Sequence, residues 1–213
     1  MFTLIKREIK DNMPLFTIAF IVSAIAVITL ASQAAYSVSH RLFVLNRTII
    51  NIFTFLMSWL AIPCVILGST QMSGDRDKKV SSFLSTLATT RRQIMLARII
   101  SGLLWIIILL LPFAVTFAIV RYIWPQVISM EVRFFITLLC ITGLIHLVCY
   151  CIGLRMSWQQ NKVLRIVYTI VPIPIVLSIF IIRGLNIEIA IILLLFASAM
   201  MVQTWQKFMS TSL

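Results

Sequence analysis

Few side chains in this sequence could do chemistry inside an apolar setting. His146, Cys149 and Tyr150 are spaced i, i+3 and i+4, which puts them on one face of a helix. An imidazole beside a thiol at that spacing is compatible with a metal or haem ligand, since both groups can offer a lone pair. A histidine hydrogen-bonded within a helix bundle is the commoner use, and no second ligand of suitable type stands at a matching position, so no metal is assigned. Asn51, Thr54 and Ser58 form another polar face; such a face either lines a solute path or bridges helices by hydrogen bonds. The four cysteines, Cys64, Cys140, Cys149 and Cys151, all lie in apolar stretches without C-x-x-C spacing and read as small buried hydrophobes.

The elements that must position these residues follow from composition. Of 213 residues, 61% are apolar and 11% charged, with a mean hydropathy of +1.07. A soluble domain carries about 25% charged residues, so the solvent here is lipid, and disordered, collagen-like and disulfide-stapled classes are excluded. The formal charge of +12 would suggest nucleic acid in a soluble protein. Here the charges fall between or just outside apolar stretches, which suits headgroups and aqueous loops, and no nucleic-acid partner is expected.

Six windows approach the ~20 apolar residues that a membrane span needs: 15–36, 49–69, 99–120, 134–154, 166–182 and 189–205. The last two are short and closely joined, so a tilted or re-entrant hairpin stays open there. Lys and Arg divide 13 to five between alternate sides, which places both termini and the second and fourth loops in the cytoplasm. The basic start followed by an apolar run reads as an uncleaved first span rather than a signal peptide, because the run exceeds ~15 residues. Before it, Phe2, Ile5, Ile9 and Met13 repeat at helical spacing with Lys6, Arg7 and Lys10 on other faces, which predicts an interfacial helix over 1–14 with Pro14 turning the chain inward. The expected fold is therefore all-α and integral to the membrane, a single domain over 1–213. Pro63, Pro112, Pro172 and Pro174 are expected to interrupt spans two, three and five, with Pro172 and Pro174 as a hinge.

The loop over 70–98 is longer than a membrane hairpin needs and rich in cations. Asp75 and Asp77 suit the first turn of a helix, where they complement its positive end. Val80, Phe83, Leu84 and Leu87 follow the i, i+3, i+4, i+7 rule opposite Ser81, Ser82, Ser85 and Thr86, which predicts an amphipathic helix. Thr90-Arg91-Arg92-Gln93 has the T-x-x-Q form of a capping box, so a second helix should start there and run through Ile94 and Leu96 into the third span.

The loop as a whole resembles the cytoplasmic loop of the type-2 ABC exporter permeases. In that family an acidic and basic patch precedes an amphipathic helix with a leucine-rich end, and S/T-R-x-x-[IV] then leads into the third span. Asp75-Arg76-Asp77, Phe83-Leu84, Leu87 and Thr90-Arg91-Arg92-Gln93-Ile94 occupy those places. The family's frequent Glu-Arg is Asp-Arg here, and Ala88-Thr89 stands where a proline is common. The layout and length are also similar to those of the family, including the haem-exporter permeases of cytochrome c maturation.

The resemblance implies a six-span permease subunit in the bacterial cytoplasmic (inner) membrane, with a cytoplasmic coupling helix between spans two and three. It implies that Asp75, Arg76, Asp77, Val80, Phe83, Leu84, Leu87, Arg91 and Arg92 dock on a separate ATP-binding subunit. That partner would hold ATP and magnesium; the chain itself would bind no cofactor and catalyse nothing. Six spans are half the usual complement, so a homodimer or heterodimer with a second permease is expected, and Asn51, Thr54, Ser58 and His146 are candidates for the translocation path. The sequence has no G-x-x-x-x-G-K-[ST] phosphate loop, which agrees with a motor on another chain. Arg91 and Arg92 would otherwise meet lipid phosphate. Two competing readings are a six-span secondary transporter, against which no acid or base stands within an expected span, and a non-transporting scaffold or immunity protein.

Overall fold

The computed structural model describes residues 60–71, 91–123, 132–157 and 187–210, together with single positions between 6 and 32. Every regular element among the described residues is helical, and no strand occurs among them. We number the helices α1 (Leu60–Gln71), α2 (Arg91–Ile123), α3 (Val132–Met156) and α4 (Ile187–Ser210). At ~1.5 Å per residue, the 33, 25 and 24 residues of α2, α3 and α4 reach about 50, 38 and 36 Å, against ~30 Å of hydrocarbon. These three helices are long and apolar enough to cross a membrane. They coincide with the expected spans at 99–120, 134–154 and 189–205, each extended at its ends. α1 takes up the second half of the 49–69 window. The 166–182 window, Pro172 and Pro174, Asn51, Thr54 and Ser58, and loop residues 72–90 lie outside the described residues.

Near the N-terminus, helical positions stand on both sides of a turn at Asn12, and Pro14 is itself helical. Proline suits the first turn of a helix, where its missing N–H would have no partner. Lys6 and Lys10 are exposed, Ile9 is half-buried and Met13 is exposed. Ile18, Phe20, Ile21, Ile25 and Ile28 of the 15–36 window are all exposed apolar side chains.

Pro63 and Pro112 do not interrupt their helices: α1 and α2 run through them unbroken. Proline removes one backbone donor, a loss that local side-chain hydroxyls and neighbouring helices can offset in a membrane bundle. Thr116 Oγ1, one turn beyond Pro112, donates to the Pro112 carbonyl at 2.7 Å, which satisfies the hydroxyl and leaves the Ile108 carbonyl as the one that proline deprives of its helical donor. The same device keeps other hydroxyls satisfied: Thr137, Thr142 and Thr204 donate to the carbonyls of Arg133, Leu138 and Met200 at 2.7–2.8 Å.

α2 and α3 form an antiparallel pair in constant register. Gly102 lies against the Tyr150 ring and Leu110 against Gly143, and the Phe117 and Phe135 rings stack at 3.5 Å. α3 is the hub. In its most apolar stretch 61% of residues are buried, against 29% in α2 and 22% in α4, so α3 is enclosed while its neighbours each keep an exposed apolar face. α4 packs on α3 through Ile189, Leu193, Ala197, Thr204 and Phe208, which recur at helical spacing. Phe208, near the end of α4, lies beneath Arg98 of α2. The C-terminal ends of α1, α3 and α4 therefore gather where α2 begins, at the end of the bundle from which residues 72–90 emerge.

Candidate functional site

The described residues converge on a polar cluster at the two roots of the 72–90 loop. α1 ends in Ser69-Thr70-Gln71. Ser69 and Thr70 turn their hydroxyls back onto the carbonyls of Ile66 and Leu67, at 2.8 and 3.0 Å. Gln71, the longest of the three, reaches across instead and is buried. Its Nε2 donates to Ser101 Oγ on α2 at 3.1 Å, and Ser101 Oγ donates to the Arg98 carbonyl at 2.8 Å. From α3, the Tyr150 hydroxyl stands 2.7 Å from Gln71 Oε1 and 2.9 Å from the Arg98 carbonyl. A phenol has one proton, so these two acceptors share it. The result is a clamp in which one tyrosine binds the end of α1 and the start of α2 at once.

Glycines make the clamp possible. A Cβ on Gly102 would stand closest to Tyr150 Cζ and 2.6 Å from both Cε1 and the hydroxyl oxygen, so the close approach of the ring to α2 requires glycine. Gly68 and Gly153 let the backbones of α1 and α3 touch: a Cβ on Gly68 would lie 2.8 Å from the Leu154 nitrogen, and one on Gly153 3.1 Å from Gly68 Cα. Small residues at such crossings are the usual means of close helix packing in lipid, where apolar burial gives no net drive between helices.

Arg98 belongs to this cluster. Its charge was expected in the loop, with no acid or base inside a span; instead α2 begins by Arg91 and encloses Arg98 two turns on, at 1% exposure. The hydropathy window begins only at Ile99 because the cation before it interrupts the apolar run, whereas the helix runs through Arg98. The Arg98 guanidinium lies 6.0 Å from the Phe208 ring centroid, within range of a cation–π attraction. The described helix begins at Arg91, and Thr90 of the expected capping box lies outside the described residues. Arg92 is exposed at this root.

The face shared by His146, Cys149 and Tyr150 divides its roles. Tyr150 enters the clamp, whereas His146 Nδ1 donates to the Thr142 carbonyl at 2.7 Å. Its other nitrogen, Nε2, therefore carries a lone pair; it is buried, with no hydrogen-bond partner among the described residues. No group of three or more His, Cys, Asp or Glu able to hold a metal occurs among the described residues. The expected docking residues Asp75, Arg76, Asp77, Val80, Phe83, Leu84 and Leu87 lie outside the described residues. Sequence reasoning missed Gln71, Arg98 and Ser101, and the usable signal was their polarity at the very edge of an apolar window. Compared with known proteins, the chain matches no family model, and no curated protein matches it.

Proposed function

We propose that this chain is the membrane-spanning permease subunit of an ATP-driven exporter of the ABC type. In this reading a separate ATP-binding subunit docks on residues 72–90, a second permease completes the path as homodimer or heterodimer, and both termini face the cytoplasm. The clamp is the observation that supports it most. A force on the loop enters the bundle at Gln71 and Arg91. Because Gln71 is bonded to Ser101 and both roots are bonded to Tyr150, the two helix ends move with α3 rather than independently. A stiff, two-rooted lever on an enclosed hub is what passing motion from a cytoplasmic motor to lipid-embedded helices requires.

A six-span layout also accounts for the order of the helices. α3 ends at the loop end of the bundle and α4 begins at the opposite end, since Phe208 near the close of α4 meets Arg98. A fifth span at 166–182 would join these two ends.

The test is to purify the tagged chain from native membranes in mild detergent and identify co-purifying proteins by mass spectrometry. A subunit with a phosphate-binding loop is expected, and Phe83→Asp with Leu87→Asp should remove it while the chain still inserts. Recovery of the chain without any ATPase would overturn the proposal.

A further inference from the structure

Two of the free cysteines lie at the place where α1 and α3 touch. Gly68 and Gly153 mark that contact: a Cβ on Gly153 would lie 3.1 Å from Gly68 Cα, and with a ~1.5 Å carbon–carbon bond the two Cα atoms stand within about 4.6 Å. The contact extends back along both helices, since the same Cβ would lie 3.0 Å from the Val65 carbonyl carbon and one on Gly68 would crowd the Tyr150 carbonyl oxygen. Cys64 precedes Gly68 by four residues and Cys149 precedes Gly153 by four, so each shares a helix face with its glycine. Both helices run toward the loop end, and one turn back along each therefore reaches the same level. Cys64 and Cys149 are 0% and 1% exposed and are close enough to interact electrostatically.

Helix geometry sets their separation. Helices that cross at ~20–50° part by only ~2–5 Å over one ~5.4 Å turn. The Cα atoms of Cys64 and Cys149 therefore stand about 5–6.5 Å apart, inside the ~4.4–6.8 Å that a disulfide spans. Cys151 is placed differently: two residues before Gly153, it points ~160° around α3 from that glycine, away from α1. Cys140 lies farther from the loop and is exposed.

We propose that Cys64 and Cys149 are a site of oxidative cross-linking, and that their disulfide pins the root of the 72–90 loop to α3. α1 ends in Gln71, which the clamp binds to Tyr150 on the loop side of the crossing. A disulfide on the other side holds α1 at a second level, so that it neither slides nor tilts on α3. What the clamp holds by hydrogen bonds is then held covalently. Buried thiols are inert toward reagents that act on exposed thiolates, so the oxidant is a small, uncharged two-electron acceptor that dissolves in hydrocarbon. With iodine as that acceptor, one sulfur takes an iodine atom and releases iodide and its proton. The second sulfur displaces the other iodide, loses its proton and closes the S–S bond. Two thiols thus give up two protons and two electrons, and one iodine molecule becomes two iodide ions. The site goes beyond the permease reading: it acts on the loop root whichever partner the loop meets.

The test uses the purified full-length chain in lipid nanodiscs. Brief exposure to iodine is followed by denaturation, blocking with N-ethylmaleimide, proteolysis and mass spectrometry. A peptide joining the Cys64 segment to the Cys149 segment is expected, and its fragment spectra assign the sulfurs without any substitution. Cys149→Ala should lower the yield of cross-linked peptide about tenfold or more, whereas Cys151→Ala should leave it unchanged, as the separations require. In the linked chain, backbone amides of α1 should exchange with deuterium about tenfold more slowly, because openings that part α1 from α3 are closed off, and dithiothreitol should restore the original rate. Absence of the Cys64–Cys149 peptide, equal yields from the two variants, or unchanged exchange over α1 overturns the proposal. No ATPase takes part, so this result is separate from the co-purification that tests the permease reading.

Discussion

Adding one methyl group at Gly153 should loosen the bundle far more than adding one at Gly143, ten residues away on the same helix. A Cβ on Gly153 would stand 3.0 Å from the Val65 carbonyl carbon and 3.1 Å from Gly68 Cα, and closer still to the Val65 oxygen. These are backbone atoms of a packed helix, with no rotamer to move away. Relief requires α1 and α3 to part, and a gap of about 0.5–1 Å forfeits a quarter to a half of the dispersion attraction along the crossing. Overpacking of this kind costs about 1–3 kcal/mol. A Cβ on Gly143 meets only Leu110 Cδ1, at 3.2 Å, the far end of a flexible side chain that can yield by a few tenths of an ångström. Replacing glycine by alanine also favours a helix by up to about 1 kcal/mol at either site, so the comparison cancels that gain. Gly153→Ala is therefore expected to be about 2 kcal/mol less stable than Gly143→Ala, taking the middle of the overpacking range. The assay is reversible unfolding in mixed micelles by titration with sodium dodecyl sulfate, read by tryptophan fluorescence. The double variant Gly68→Ala with Gly153→Ala should cost little more than the worse single one, because one separation relieves both clashes. Equal midpoints for Gly143→Ala and Gly153→Ala, or strict additivity in the double variant, would refute the close-crossing argument.

Two further outcomes follow from the clamp and its surroundings. Tyr150→Phe keeps the ring on Gly102 but removes the shared donor, and should cost about 0.6–1.5 kcal/mol in the same unfolding assay; if loop motion passes through this hydroxyl, transport per ATP should fall while the amount of co-purifying ATPase does not. Phe208→Leu removes the ring beneath Arg98 and should destabilise by about 0.5–1 kcal/mol beyond its loss of area, whereas Phe208→Trp should restore that attraction. Equal midpoints for the Leu and Trp variants would show that Phe208 acts through bulk alone.

The long helices were legible because their signal is local. Windows 99–120, 134–154 and 189–205 are apolar enough to be read residue by residue, and α2, α3 and α4 extend each of them at both ends. Thr90, the cap that the T-x-x-Q spacing predicts, lies outside the described residues. Boundaries were less legible at Arg98. A cation is expensive in hydrocarbon but less so when enclosed by protein, against a ring face and near the loop end, and hydropathy does not distinguish those settings. The two prolines misled because Pro63 and Pro112 remove only one donor each, and the helices run on through them.

The clamp was illegible for a different reason. Gln71, Ser101 and Tyr150 are polar residues 30 and 49 positions apart, and nothing in local periodicity links them. Their meeting depends on three glycines, Gly68, Gly102 and Gly153, on three separate helices. Each glycine alone reads as a weak point in a helix, and only the set allows the approach. Grouping Tyr150 with His146 and Cys149 by helical face was correct as geometry but joined two roles. Tyr150 lies one turn nearer the loop, where Gln71 and the Arg98 carbonyl meet it, and His146 lies one turn deeper, where no donor among the described residues does. That single turn separates a group that holds the two helix ends together from one whose second ring nitrogen makes no hydrogen bond among the described residues.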